Sequence, residues 1–417
     1  MPDSLQRDTL KHSRRDFLAT SAAVVVGLTQ VGPAASRLLA QELPTADKVV
    51  AGKNAKLIVY NAKVGEIETP LELLRSHSIT PKELLFVRNN QLLPGVMTTH
   101  ISEPGTWDIE LLGLVNAPAQ VTVAELLKLE SHEHEMVLQC SGNGRAKFSK
   151  AAKVDGAPWG HGAMGNVRFK GVAIADLLEQ LKLTIKPDAK FLTAEGRDAP
   201  DKAGAPDFEH SLPLGDVLER SILATHMNGE PLPLVHGGPV RLVTPGYYGT
   251  MQVKWVSKLR FEAAESSNYH HMPRYRTPLK PIAAGGKFVP TFENSEPNWD
   301  MKIKSVIFSP LEGEKISNGK EVIVSGVAWN DGTAKISSVE VSTDDGQTWT
   351  RADVKMPASR HAWHPWRATL TLADGTYSVR SRAIDALGRT QPFDGSIAWN
   401  PAGYAWNGVD EVKFVVS

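Results

Sequence analysis

Cysteine is nearly absent from this sequence: Cys140 is the only one in 417 residues. That excludes an intramolecular disulfide, a Cys-x-x-Cys zinc or redox site and a Cys-x-x-Cys-His haem attachment. An excess of charge is missing too, since 46 Lys and Arg balance 46 Asp and Glu. A surface that binds polyanions over the whole molecule is excluded, so nucleic acid is not an expected partner, although a local basic pocket is still allowed. The apolar run Phe17 to Leu28 has about 12 residues against the roughly 20 that span a bilayer, and it contains Ser, Thr and Gly. No membrane span is expected in the mature form. A Walker-type lysine loop and a Gly-x-Ser-x-Gly elbow are also lacking, which leaves nucleotide hydrolysis and serine-hydrolase chemistry without support.

What is present describes an ordinary globular chain with 41% hydrophobic and 22% charged residues, long enough for two or three domains. Its 34 Gly and 27 Pro predict many turns and substantial β content. Arg7, Lys11, Arg14 and Arg15 precede the short apolar run, and Ser13-Arg14-Arg15-Asp16-Phe17-Leu18 resembles a twin-arginine export signal. Residues 1–40 therefore read as a leader, cleaved somewhere from Ala34 to Ala40, with the periplasm as the expected location. That route carries folded proteins, which suits a chain that acquires a complex cofactor before crossing.

Residues 50–275 alternate short strand-like and helix-like runs. Trp107 to Leu111 alternates as a half-buried strand does, and Met136 to Cys140 is an apolar run. Val121 to Leu129, Val172 to Leu181 and Pro213 to Leu223 have helical spacing. Residues 276–300 read as a connector poor in periodicity. In residues 301–417, alternating runs at Glu321 to Ser325, Ser338 to Ser342 and Thr376 to Ile384 are separated by Asn-Asp-Gly, Asp-Asp-Gly and Asp-Gly turns. The expected fold class is α+β: a mixed α/β domain followed by an all-β, immunoglobulin-like sandwich. Nothing in residues 301–417 reads as catalytic, but they hold six of the ten tryptophans: Trp329, Trp349, Trp363, Trp366, Trp399 and Trp406. Aromatics serve both cores and lasting interfaces.

The apolar run ending at Cys140 is followed by Ser141-Gly142-Asn143-Gly144-Arg145. A lone cysteine is commonly a small buried apolar residue. A strand-end thiol beside a donor-rich loop and a cation also suits a soft-metal ligand or a nucleophile. Further stretches carry a resemblance: Phe86-Val87-Arg88-Asn89-Asn90, Trp159 with Gly162-Ala163-Met164-Gly165-Asn166, Met227 to Pro233, His236-Gly237-Gly238-Pro239-Val240-Arg241, and Val253-Lys254-Trp255. Together with the cysteine loop they make the chain similar to the sulfite oxidase family of molybdenum enzymes along nearly its whole mature length. Arg145 to Phe148 and Val243 to Gly249 look more like the bacterial sulfite dehydrogenase branch than the animal one.

That resemblance implies a mononuclear molybdenum–molybdopterin cofactor with Cys140 as its protein ligand, and no haem. It implies Arg88 as the substrate arginine and Tyr275, about 135 residues after Cys140, as the active-site tyrosine. Phe86, Val87, Arg88, Asn89, Asn90, Arg145, Asp198, His236, Arg241, Gln252, Val253 and Lys254 fall where the family grips the pterin and its phosphate. Trp159 and His161 are weaker pocket candidates. The sequence departs from the family at Asn90, where a histidine is usual, at Arg274, where animal enzymes are acidic, and at Ala402, where they carry an arginine. The activity implied is oxidation of sulfite to sulfate, with electrons passed to a periplasmic c-type cytochrome, in a homodimer joined through the sandwich. Three alternatives remain open: the sulfane dehydrogenase subunit of sulfur oxidation, a peptide methionine sulfoxide reductase, and a cofactor-free periplasmic binding module. His132 with His134, and His270 with His271, read as structural.

Overall fold

The computed structural model describes residues 49–94, 103–198, 204–317 and 321–417. The expected leader lies outside the described residues. None of the described helices is long and apolar enough to cross a membrane.

The chain is mostly strand. The longest described helices, Ile174–Gln180 and Leu214–Arg220, have seven residues each. The three helical expectations are too long for one reason: the β-branched residues at their ends join sheets. Val121 belongs to the strand Ala119–Thr122, and only Val123–Leu126 is helical, started by a reciprocal capping box between Thr122 and Glu125. Val172 lies in the strand Met164–Ala173, and Ile222 begins the strand Ile222–Met227. The alternating run near Trp107 is the strand Asp108–Gly113, with Ile109 and Leu111 facing inward.

Two five-stranded sheets build the first region. One has the order Ala119–Thr122, Asp108–Gly113, Val256–Glu262, Phe191–Gly196, Glu209–Pro213, with a single parallel pairing between its second and third strands. The other runs Glu230–Pro231, Ile222–Met227, Met164–Ala173, His132–Gln139, and Arg241–Val243 also pairs with Ile222–Met227. Trp107 and Trp255 are fully buried in the main core. The connector is less featureless than its sequence implies. Arg276–Pro278 and Ser295–Pro297 pair as an antiparallel ribbon, pinned by the Arg276 guanidinium donating to Ser295 Oγ and O at 2.8 Å each.

The last region is a sandwich of a four-stranded and a five-stranded sheet. Its own core draws Val322, Val324 and Trp366 from one sheet and Val339, Val379 and Phe414 from the other. Several hydrogen bonds tie it to the cysteine strand and the turn that follows, among them Trp329 Nε1 to Gln139 Oε1 at 2.8 Å. Val137 N donates to His361 O at 2.8 Å, closing an edge strand, and Ala405 N donates to Ser141 O at 2.7 Å. Trp329, Trp363, Trp366, Trp399 and Trp406 are all buried within the chain, and Trp349 lies 4.0 Å beneath the Arg382 guanidinium. The tryptophan clustering therefore reflects core and internal packing, and it no longer argues for a subunit interface.

Candidate active site

The strand His132–Gln139 is buried along its last four residues and delivers Cys140 into a cleft of about 620 Å³. The turn after it folds back on the thiol: Asn143 N donates to Cys140 O at 2.9 Å, and Gly142 N lies 3.4 Å from Sγ. Gly144 has φ +90°, and a Cβ there would meet the Trp406 ring at 2.6 Å, so this turn needs glycine.

Arg88 reaches the same cleft from the two-residue strand Val87–Arg88. Its Nη2 donates to Asn90 Oδ1 at 3.0 Å, and the Tyr275 hydroxyl donates to that same oxygen at 2.6 Å. Asn90, the departure from the family pattern, thus holds the arginine and the tyrosine together. Tyr275 has φ +54°, a costly conformation for a bulky residue that tends to persist at functional sites. Its ring stacks on Tyr404 at 5.1 Å, and the Arg274 guanidinium stands 5.3 Å from its centroid. Burial opposes the charge of Arg88, but Tyr275, Glu66 at 3.5 Å and the Cys140 thiol outweigh it and hold the guanidinium above its ordinary value.

A second group of cations lies deeper. Arg241 is buried and donates only to backbone carbonyls: Gln252 O and His236 O at 3.1 Å, and Gly249 O at 3.5 Å. Among the described residues it has no carboxylate partner, and burial pushes its pKa down to about 9. Lys254 donates to Asn89 Oδ1 and to Val235 O at 3.2 Å. Burial, then the Arg241 charge, drives its pKa well below the usual lysine range. Burial raises Asp198 despite the attraction of Lys254. Lys53 stands 2.7 Å from His236 Nε2, and burial lowers it to about 7 against the pull of Glu83. His236 falls well below its ordinary value, first through burial and then through Lys53 and Lys254. Buried cations without counter-charges cost several kcal/mol, roughly, unless an anion joins them.

The cleft brings together Phe86, Arg88, Asn89, Asn90, Cys140, Asp198, His236, Arg241, Gln252, Lys254 and Tyr275. It does not bring the side chains of Val87 and Val253. Each is packed in the core because it alternates with cleft-facing neighbours. Arg145 is also turned aside. It donates to Ala157 O and Ala402 O at 2.9 Å and lines an adjoining cavity that shares Arg88, Cys140 and Tyr275. Trp159 is fully buried, and His161 bonds Asp410 at 3.0 Å, so neither faces the cleft. Tyr404 corrects the expectation that residues 301–417 stay clear of the site: it lines that adjoining cavity and stacks on Tyr275. Lys53 was missed because a single lysine in a turn carries no local signal.

Two family models match the chain: an oxidoreductase molybdopterin binding domain over residues 96–270, and a Mo-co oxidoreductase dimerisation domain over residues 295–414. Mitochondrial sulfite oxidase of Rattus norvegicus is 30% identical over 362 residues, covering 82% of this chain. The chain spans 63% of that relative's length. Sulfite oxidase of Gallus gallus is 30% identical over 385 residues, covering 87% of this chain and 80% of the relative. This chain belongs to the sulfite oxidase family of molybdenum enzymes. Among solved structures, the sulfane dehydrogenase SoxCD from Paracoccus pantotrophus superposes with a TM-score of 0.71 at 27% identity, covering 86% of each chain. Arg88 and Tyr275 lie outside the matched span 96–270, yet the fold returns both to its cysteine.

The residues present fit a sulfite oxidase family cofactor. Arg241 and Lys254 offer donors to a phosphate that the protein itself does not supply. Asp198 Oδ2 and Gln252 Oε1 are buried in the cleft without a hydrogen-bond partner among the described residues, and such acceptors suit the N–H groups of a pterin. The sole thiol faces the same space.

Proposed function

We propose that this chain is a periplasmic sulfite dehydrogenase that oxidises sulfite to sulfate and passes electrons to a c-type cytochrome. The observation that carries the reading is the convergence of Arg88 and Tyr275 on Asn90 beside Cys140, in a cleft whose deeper cations, Arg241 and Lys254, have no carboxylate in salt-bridge contact among the described residues. Cys140 would supply the thiolate to the metal, and Arg241, Lys254, His236, Asp198 and Gln252 would hold the pterin and its phosphate. Bound there, molybdenum supplies two-electron oxygen-atom transfer and then one-electron reoxidation.

The chain's own residues account for anion capture. The Arg88 guanidinium presents a fork of donors to an oxyanion, and Asn90 fixes its orientation. Asn90 also holds the Tyr275 hydroxyl, whose oxygen keeps lone pairs that can accept a hydrogen bond from a protonated substrate oxygen. Arg274 adds positive charge at the mouth, where animal enzymes carry an acidic residue and place their own cation at the position of Ala402. The reading includes a homodimer through the sandwich, supported by the match to a dimerisation domain.

The solved sulfane dehydrogenase supports a second substrate reading, sulfane sulfur. Steady-state turnover with ferricyanide, comparing sulfite with thiosulfate and sulfane donors, separates the two. Molybdenum near one atom per chain with sulfite turnover is expected. Turnover of sulfane donors alone would move the assignment to the second reading.

A further inference from the structure

Three histidines are buried beside Tyr275: His210, His271 and His270. Read as sequence, His270 and His271 form a pair. The fold instead links His271 to His210, from a distant strand. Thr250, which lines the cleft with Cys140, places Oγ1 3.3 Å from His210 Nε2. His210 Nδ1 stands 3.1 Å from His271 Nδ1, and His271 Nε2 stands 3.0 Å from Glu265 Oε2. The Glu265 side chain is 19% exposed and is anchored by Arg276 at 2.7 Å. A continuous chain of hydrogen bonds therefore leads from the cleft to solvent.

Its polarity follows from what each atom can do. An ionised carboxylate only accepts, so His271 Nε2 carries a hydrogen. A neutral His271 then has a bare Nδ1, which accepts from His210 Nδ1–H. That leaves His210 Nε2 bare, to accept from the Thr250 hydroxyl. Every donor points from the cleft toward Glu265. The electrostatics agree. Burial, the largest cause, holds His210 well below its ordinary value and so keeps it neutral. Burial works against the Glu265 carboxylate, but hydrogen bonds from His271 and Arg276 prevail and hold it ionised. The other titratable groups near the chain are Tyr275, 5.4 Å from the His210 ring, and Glu209, held by Arg260 and Ser266.

We propose that Thr250, His210, His271 and Glu265 form a directed exit for the protons of turnover, from the cleft to solvent at Glu265. The proposal rests on the sulfite-oxidising reading. Sulfite and water yield sulfate, two protons and two electrons, and the electrons leave to a one-electron acceptor. The protons need their own route out of a cleft walled by buried groups. Thr250 Oγ1 takes a proton from the cleft as it hands its own to His210 Nε2, which displaces the Nδ1 proton to His271 Nδ1. The Nε2 proton of His271 then moves to Glu265, which releases it to water. Each pass carries one proton, and both rings return to their starting tautomers before the second follows.

The test has two arms. Long-range ¹⁵N–¹H spectra of the full-length oxidised holoprotein with ¹⁵N-histidine read the tautomers without turnover, with assignments from His210→Gln and His271→Gln. The Nδ1–H form at His210 and the Nε2–H form at His271 are expected at pH 7, and the reverse pair, or a cationic His271, overturns the wire. In the second arm, His210→Gln with full molybdenum should lower kcat by about tenfold or more. The KM for sulfite should hold, the solvent isotope effect should grow, and added imidazole should restore rate to His210→Gly. Thr250→Val should show the same kcat loss, and Thr250→Ser should recover it. Unchanged kcat in both His210→Gln and Thr250→Val overturns the exit. If the wild-type chain fails to turn over sulfite, the functional reading falls by itself, and the tautomers still judge the wire.

Discussion

The arginines of the cleft and those of the sandwich are the same residue put to opposite uses. In the sandwich, Arg389 donates from Nη1 to Asp331 and from Nε to Asp385, both at 2.7 Å, and these bonds raise its pKa against burial. Arg382 bonds Glu340 at 2.8 Å, and Arg380 meets Asp345 at 2.5 Å. In the cleft, Arg241 donates only to carbonyls and burial depresses it to about 9, while burial and then the Arg241 charge drive Lys254 well below its ordinary value. Paired cations hold a fold together. Unpaired buried cations weaken it, and they persist where a bound anion completes them. The comparison teaches that cofactor retention and chain stability should respond to different residues.

The largest expected break is at the thiol. Cys140→Ser should abolish sulfite turnover while the chain still folds, because a serine oxygen can take the Gly142 N–H that Sγ accepts. Wild-type turnover by that variant would remove the metal-ligand role. Next comes Arg88→Met. Charge-assisted bonds are worth roughly 1.5–3 kcal/mol, so the KM for sulfite should rise about 10- to 150-fold with molybdenum intact. An unchanged KM would show that Arg88 does not meet substrate.

The third experiment puts the two regions side by side. Arg241→Met should cost pterin content by about tenfold or more, read by fluorescence of the oxidised pterin, and should leave the melting point of the cofactor-free chain within a few degrees. Arg389→Met should do the reverse. It strands Asp331 and Asp385, whose side chains are 5% and 0% exposed, at a cost of about 3 kcal/mol. Pterin content should hold. If both variants lose stability equally and neither loses pterin, the division of labour fails.

Much of this was legible in the sequence. The alternation of the sandwich strands survives burial on one face, so Glu321 to Ser325 and Thr376 to Ile384 were found, inside the strands Glu321–Trp329 and Gly375–Asp385. Cys140, Arg88 and Lys254 were visible because they stand in motifs. The helices were overestimated because Val121, Val172 and Ile222 pair across sheets, which depends on residues far along the chain. Tyr404, Lys53 and His210 were invisible for the same reason: what marks them is a partner at a separation of more than 60 residues. A motif reports the atoms that touch a ligand and is silent about the groups standing behind them.

The smallest effect expected is on pH dependence, which has the same sign in the two regions but falls in different pH windows. In the sandwich, burial opposes the Asp331 carboxylate, but Arg389 and Thr333 hold it below its ordinary value. Its contribution is present above the unfolded carboxylate range and is lost as pH falls through the folded value. Lys53 gives the same sign at higher pH, as the fading of a penalty and not the gain of a bond. Its Nζ donates to Leu85 O at 2.9 Å and faces His236, and burial lowers it from 10.5 to about 7. Between those values the unfolded chain holds a proton that the folded chain has shed. Unfolding then takes up protons, so stability rises with pH across that window. The slope should stay well under the roughly 1.4 kcal/mol per pH unit of a full proton, because Lys53 is only partly withdrawn from water. Chemical denaturation of the cofactor-free chain at pH 7, 8 and 9 measures it, with Lys53→Met as the reference. The wild type should gain on the variant as pH rises. Parallel curves would mean that Lys53 keeps an ordinary lysine pKa and does not share the strain of the unpaired cations around it.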